Sequence, residues 1–480
     1  MRREVTEMHK IERVYIGGKL EVPRGTELFP LFNPSEEEVI GQVQLADEED
    51  GRAAIAAAKM AQKSLSRTSK AERVDMLWQL HAEVKRRQEN IEQASMKEYG
   101  APVKRAELAA RSAVQPFADA TKLLESYDFK RKAGDADVFM NPIGVAGLIT
   151  PWNSNAGFIC SKVAYALAAG CASIVKPSEM SAFQTDVIVE AFHAAGLPPG
   201  VVNIVTARGE TVGRLLASHP DVAKISFTGS TAVGKQILRA GADTCKRVTL
   251  ELGGKSPTVI LEDADLKKAI PMAVAAGFIN SGQACLAGTR ILVPRSLRFA
   301  AEDMIRSTVE TWRVGPPTDP DAVIGPMVSE KQWERVQRYI RIGVEAGARL
   351  LTGGEGRPKH LDRGWFVRPT VFSDVTNDMK IAQEEIFGPV LSILLYDDED
   401  EAISIANDTT YGLQGYVFSS NMQRALRVAA QMEVGRVQVN TLTHEPLAPF
   451  GGVKQSGIGR ENGVYGLEAF LEPKAILTAN

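Results

Sequence analysis

Between about residues 50 and 125 the chain sets apolar positions among polar ones at helical spacing. Ala53 to Ala58 include strong helix formers, and Arg73 to Leu80 place apolar residues at i, i+3 and i+4. The charged run Lys85-Arg86-Arg87 reads as a solvated helix face. From about residue 143 the rhythm changes to short β-branched runs separated by alanine-rich stretches. Strands are predicted over 145–150, 173–175, 201–205, 224–227 and 248–250, and helices over 158–169, 181–195, 211–218 and 231–240. This alternation predicts an α/β fold in which a parallel sheet is covered by helices on both faces. Such sheets bind ligands where strands give way to helices. The style resumes with strands at 258–261 and 291–293 and helices at 264–279 and 297–312, predicting a second α/β domain from about residue 255. Ser126 to Met140 alternates polar residues around Gly134 and reads as an exposed hairpin whose edge needs a partner.

The bulk properties narrow the choices. A chain of 480 residues leads to an expectation of two or three domains. With 44 % apolar residues it can build a sizeable core. A net charge of −3, with both signs mixed, offers no basic footprint for nucleic acid. Met1 to Val5 lead into charged residues with no apolar run behind them, so no signal peptide is expected. The longest apolar stretch, Val163 to Val175, is too short to span a bilayer. The expectation is a soluble, cytoplasmic protein without a membrane partner. Cysteines 160, 171, 245 and 285 form no CxxC pair, and the six histidines show no HxxxH spacing. Neither a disulfide framework nor a metal site is expected.

Cys285 is the strongest chemical signal. It follows Ile279-Asn280-Ser281-Gly282-Gln283-Ala284, a turn-like run that leaves a thiol room to face a bound carbonyl. A single cysteine is more often buried and inert. One that shares its chain with a candidate base, Glu251 beside Gly253-Gly254, suggests covalent catalysis. Three further loops end predicted strands. Phe227 to Lys235 opens a helix, where backbone N–H groups attract phosphate. It falls one residue short of a P-loop, and Gln236 stands where a Mg²⁺-holding Ser or Thr would be. Lys176-Pro177-Ser178-Glu179 could grip ribose hydroxyls or simply start a helix. Thr150-Pro151-Trp152-Asn153 ends in an amide suited to an oxyanion, or is a plain turn.

Taken together these loops resemble the NAD(P)-dependent aldehyde dehydrogenases, over nearly the whole chain. The resemblance rests on the four segments above, Glu251-Leu252-Gly253-Gly254-Lys255 among them, and on Gly282-Gln283-Ala284-Cys285. It extends to Glu384-Glu385-Ile386-Phe387-Gly388-Pro389 and to Pro449-Phe450-Gly451-Gly452-Val453-Lys454 with Ser456-Gly457-Ile458-Gly459-Arg460-Glu461. It implies a Rossmann-like cofactor domain (1–122 and 142–254), an α/β catalytic domain (255–453) and a small β oligomerisation arm (123–141 and 466–478). A homodimer or homotetramer follows.

The resemblance also implies roles. Cys285 would be the nucleophile, Glu251 the base, Asn153 with the Cys285 backbone N–H the oxyanion donors, and Lys162 with Glu461 a proton relay. Lys176 and Glu179 would hold the adenine ribose, Ser230 the phosphates, Glu385 the nicotinamide ribose, with Phe387 beside the ring. Ile149, Thr150, Trp152, Ser178, Gly209, Gly229, Val233 and Leu252 would complete the cofactor surface. Glu179 favours NAD by repelling a 2′-phosphate, while Arg208 in the adenosine loop leaves NADP open. The substrate tunnel would be lined by Phe158, Ser161, Ile279, Leu286, His444 and Phe450. Ser154-Asn155 replaces the common Phe-Pro, Ala207 replaces a common glycine, and Ser161 and His444 stand at places often aromatic. These departures predict a wider, more polar tunnel than simple aliphatic aldehydes need. Three rivals differ in chemistry: a CoA-acylating relative, which generally lacks the carboxylate at 251; a Mg²⁺-dependent P-loop nucleotidase; and a structural protein that has kept the fold.

Overall fold

The computed structural model describes residues 9–478. The expectation drawn from Met1 to Val5 concerns residues outside this range, as does the start of the segment 1–122.

The first large sheet runs in the order Gly457–Ile458, Arg247–Glu251, Lys224–Thr228, Ala146–Ile149, Ser173–Lys176, Val202–Ile204, Val14–Ile16, Lys19–Glu21. Its five central strands are parallel, as the alternation predicts. Both margins are antiparallel, which the pattern does not predict. The reason is connection length. Val14–Ile16 and Lys19–Glu21 are joined by two residues, which only an antiparallel pair allows. Gly457–Ile458 returns from the far end of the chain to lie beside Arg247–Glu251. The central strands carry near-continuous apolar runs because helices cover both faces. Ala146, Leu148, Ile174, Val175 and Ile225 are all fully buried. Helix Asn155–Ala169 is buried along almost its whole length, and its alanines let it sit close to the sheet.

The second sheet follows the order Arg349–Thr352, Thr370–Ser373, Val390–Tyr396, Arg290–Pro294, Pro257–Ile260, Gln414–Phe418, Arg436–Val439. Every pairing is parallel except that of the marginal Arg349–Thr352. Its two faces bury separate apolar clusters, one around Phe372 and Tyr339, the other around Phe278 and Phe418. Lys130–Ala133, Ala136–Pro142 and Leu471–Ile476 form a small antiparallel sheet. The hairpin expected from residue 126 begins only at Lys130, because helix Val103–Ser126 runs through its first residue.

A fourth sheet, His9–Ile11, Glu38–Gln44 and Leu28–Asn33, has no counterpart in the sequence reading. The helix predicted over 211–218 is α-helical only over Arg214–Ser218, preceded by a wider turn, Gly209–Gly213, bounded by glycines. Among the described residues no helix is long and apolar enough to cross a membrane. None of their His, Cys, Asp and Glu side chains cluster in threes as a metal ion would need.

Candidate active site

The strand ends of the first sheet and the loop before Arg290–Pro294 face one another, and Cys285 lies between them. The chain reaches Cys285 through an unusual backbone. Helix Leu266–Phe278 stops, and Asn280, Ser281 and Gly282 all take positive φ, at 54°, 58° and 74°. Only a glycine suits the last position: a Cβ there would lie 2.2 Å from the Gly388 carbonyl carbon. Side chains brace the other two. Asn280 Nδ2 donates to the carbonyls of Asn153 and Gln283, both at 3.1 Å, and Ser281 Oγ accepts the Gly325 N–H at 2.9 Å. Gln283 is fully buried and tied by its amide to Tyr99, Pro326 and Val328. The nucleophile loop is therefore rigid, and Cys285 itself is half-buried at its end. Burial, then the nearby carboxyls of Glu385 and Glu251, push its thiol up to about 12. A thiol so protonated needs a base before it can attack.

Glu251 ends strand Arg247–Glu251 and is buried. Neither carboxyl oxygen finds a hydrogen-bond partner among the described residues. It rests against Gly451, where a Cβ would lie 2.6 Å from Oε1. Burial, then the charge of Glu461, raises its proton affinity well above the ordinary carboxylate range. That suits a general base at neutral pH. It also carries a stability cost with a definite sign. Below the unfolded value of about 4.3 both states hold the proton and no penalty exists. Above it the unfolded state ionises while the folded state stays protonated, so stability falls as pH rises toward the folded value. Glu251→Gln should therefore match the parent in Tm at pH below the ordinary carboxylate value and exceed it increasingly as pH rises above that value, read by thermal unfolding across pH.

Asn153 donates its side-chain amide to the Gln283 carbonyl at 2.8 Å, which leaves the second amide hydrogen for the cavity. Lys162 is buried and ion-paired with Glu461, and Ser226 Oγ links the two at 2.8 and 3.1 Å. The Glu461 backbone pairs in turn with that of Phe450.

Two cavities meet at this point. One, of about 620 Å³, is lined by Trp152, Asn153, Gly229, Ser230, Glu251, Leu252, Glu385 and Phe387. The other, of about 380 Å³, is lined by Ser161, Leu286, His444, Phe450 and Glu461. Cys285 and Phe158 line both. The first is shaped for a dinucleotide. Trp152 meets Phe387 edge-on at 5.4 Å, and Ser230 caps helix Thr231–Gly241. Thr228 Oγ1, in the same wall, is buried without a partner among the described residues. Glu385 accepts the Gly254 N–H at 2.9 Å, and burial pushes its carboxyl up to about 7.

The remaining expected cofactor residues lie outside this cavity, along the same sheet margin. Ile149 and Lys176 are cross-strand partners, and Thr150 N–H donates to the Lys176 carbonyl at 3.1 Å. Lys176 Nζ lies 3.3 Å from Glu179, which also meets Arg208 at 3.3 Å. An ammonium beside a carboxylate is a donor–acceptor set fit for a vicinal diol. Ser178 also caps the short turn Glu179–Ser181, as a plain helix start would. Gly209 opens the wide turn after Arg208, and Val233 is exposed on the first turn of helix Thr231–Gly241. Thr150 Oγ1 is spent on Asn155, which the Ser154-Asn155 departure brings in.

Ile279 is the exception among the tunnel residues. It is exposed where the helix breaks and lines neither cavity. The left-handed run that follows redirects the chain, and periodicity cannot foresee it. Arg105 and Arg436 line the second cavity, and Gln332 and Arg335 the first; the sequence reading names none of them. Each is a lone polar residue on an ordinary helix or strand, with no local motif.

Residues 22–476 match the profile of the Aldehyde dehydrogenase family. A 3-succinoylsemialdehyde-pyridine dehydrogenase of a Pseudomonas species is 45 % identical over 472 residues, covering 98 % of this chain and 99 % of the relative. A mutant of aldehyde dehydrogenase C from Pseudomonas syringae, solved with NAD+ and octanal, is 42 % identical. It superposes with a TM-score of 0.95 over 97 % of this chain and 96 % of that one. A Mycobacterium tuberculosis aldehyde dehydrogenase complexed with NAD+ is 39 % identical, with a TM-score of 0.95 over 98 % and 99 % of the two chains. On the profile match, the identities and the superposition, this chain belongs to the aldehyde dehydrogenase family.

Proposed function

We propose that the protein oxidises an aldehyde to the carboxylic acid, with Cys285 as nucleophile and NAD as the preferred cofactor. The observation that carries this reading is the meeting of two cavities at one sulfur atom. The aldehyde enters beside Phe158, Leu286 and Phe450, and the Cys285 sulfur bonds to its carbonyl carbon. The thiol proton passes to Glu251. The oxyanion that forms is held by the free amide hydrogen of Asn153 and the Cys285 N–H. Trp152, Ser230, Glu385 and Phe387 would hold NAD(P)+, which would supply the hydride acceptor for this carbon. The acyl group remains on Cys285 as a thioester, and Glu251 takes a proton from the water that releases it as the acid. Lys162 and Glu461 serve as the relay that restores Glu251.

NAD is preferred because a carboxylate at Glu179 would repel a 2′-phosphate and Arg208 is committed to both Glu179 and Glu27, the latter at 2.7 Å. The first sheet, the second sheet and the small sheet would serve cofactor binding, catalysis and assembly, within 1–122 with 142–254, 255–453, and 123–141 with 466–478. The small sheet offers the margin strand Lys130–Ala133, exposed along its length, as a seat for a second chain. Light scattering should give the mass of two or four chains, and a monomer would overturn this assembly. Cys160 and Cys171 are buried free thiols, consistent with a reducing cytoplasm.

Glu251→Gln tests the hydrolytic step. We expect a burst of NADH close to one per active site followed by a slow steady rate, in a stopped-flow trace at 340 nm. The parent should form free acid without CoA. Acyl-CoA as the product would favour the acylating alternative.

A further inference from the structure

Two arginines face the substrate cavity with no acid to neutralise them. Arg436 opens strand Arg436–Val439. Its Nε donates to Gln414 at 2.7 Å, its Nη1 lies 3.4 Å from His444 Nδ1, and its guanidinium stacks over Phe450 at 4.9 Å from the ring centre. Arg105, on helix Val103–Ser126, donates to Asn280 at 2.9 Å and to Ser154 at 2.7 Å. All these partners are neutral. Among the described residues neither guanidinium forms an ion pair, although most arginines of this chain do.

The acidic residues of the same wall form no ion pair with either arginine among the described residues. Glu461 is committed to Lys162, and Asp119 accepts a hydrogen bond from Gln115 at 2.8 Å. His444 adds no positive charge at neutral pH, since burial and Arg436 hold its proton affinity down. A desolvated guanidinium without a carboxylate is costly, and the cost is recovered when an anion arrives. Burial holds Arg436 below its ordinary value. The guanidinium lines the same cavity as Cys285.

We propose that the substrate is an aldehyde bearing a carboxylate, a semialdehyde, and that Arg436 receives its anionic end, with Arg105 reinforcing the positive field of the wall. This rests on the dehydrogenase reading and refines it. Arg436 offers a planar fork that suits a carboxylate, and its fourth and fifth hydrogens, on Nη2, have no partner among the described residues. Arg105 also braces the loops of Asn153 and Cys285, so its substitution would confound binding with geometry. Arg436 is the informative position.

The test compares glutaric and adipic semialdehydes with their methyl esters, by initial rates of NADH formation. The parent should favour the acids by about 10- to 100-fold in kcat/KM, as a charge-assisted contact predicts. Arg436→Gln should collapse the acid-to-ester ratio toward unity, chiefly by raising KM for the acids. Arg436→Lys should retain part of the preference. The ratio is internal to each variant, so a general loss of activity cancels. Esters used as well as acids by the parent, or a ratio unmoved in Arg436→Gln, would overturn anion recognition while leaving aldehyde oxidation standing. No NADH from acid or ester would overturn the dehydrogenase reading itself, and this inference with it.

Discussion

Cys285→Ala is expected to abolish aldehyde oxidation while leaving NAD binding intact. No other sulfur can substitute. Cys160 and Cys171 are buried in the core around the first sheet, and Cys245 lies exposed beyond helix Thr231–Gly241; none of the three lines either cavity. The cofactor wall contains Trp152, Ser230, Glu385 and Phe387, and the substitution touches none of them. Binding is measured by calorimetry with NAD, and turnover by NADH formation. Loss of both would mean that the loop collapses without its thiol. Retained turnover would remove Cys285 from the chemistry. In the parent the rate should climb with pH through the neutral range, because Glu251 must lose its proton before it can draw one from Cys285.

Asn153→Ala should lower kcat by about 10²–10³-fold with a much smaller change in KM. One amide hydrogen of Asn153 is already engaged by Gln283, so its direction is preset before substrate arrives. A preset donor costs no reorganisation when charge develops on the carbonyl oxygen. If Asn153 merely tied two loops together, the variant would lose thermal stability and KM would rise along with the fall in kcat. A fall confined to kcat separates these cases.

Much of this site was legible because its parts are contiguous. Thr150 to Asn153, Ser230 and Glu251 lie at strand ends, and strand ends can be located by counting apolar runs. The central parallel strands were legible for the same reason, since double burial demands unbroken apolar sequence. The margins were not. Gly457–Ile458 is two residues long and carries no pattern, yet it closes the first sheet beside the base. Ile279 was assigned to the tunnel on position alone, before three left-handed residues that only tertiary contacts stabilise. Arg105 and Arg436 lie 331 positions apart and meet the same cavity only through the packing of two sheets. A charged residue on a helix is usually solvated, so nothing local distinguished Arg105 from Arg111 six positions later, which is exposed.

The late return of Gly457–Ile458 has a consequence for synthesis. Lys162, Glu251 and Cys285 are all translated well before Gly451 and Glu461. Until they arrive, the Glu251 carboxyl lacks two of the neighbours that lie against it or act on its charge in the folded protein. A product halted before residue 457 would lack both the strand that lies beside Glu251 in the first sheet and the Glu461 partner of Lys162.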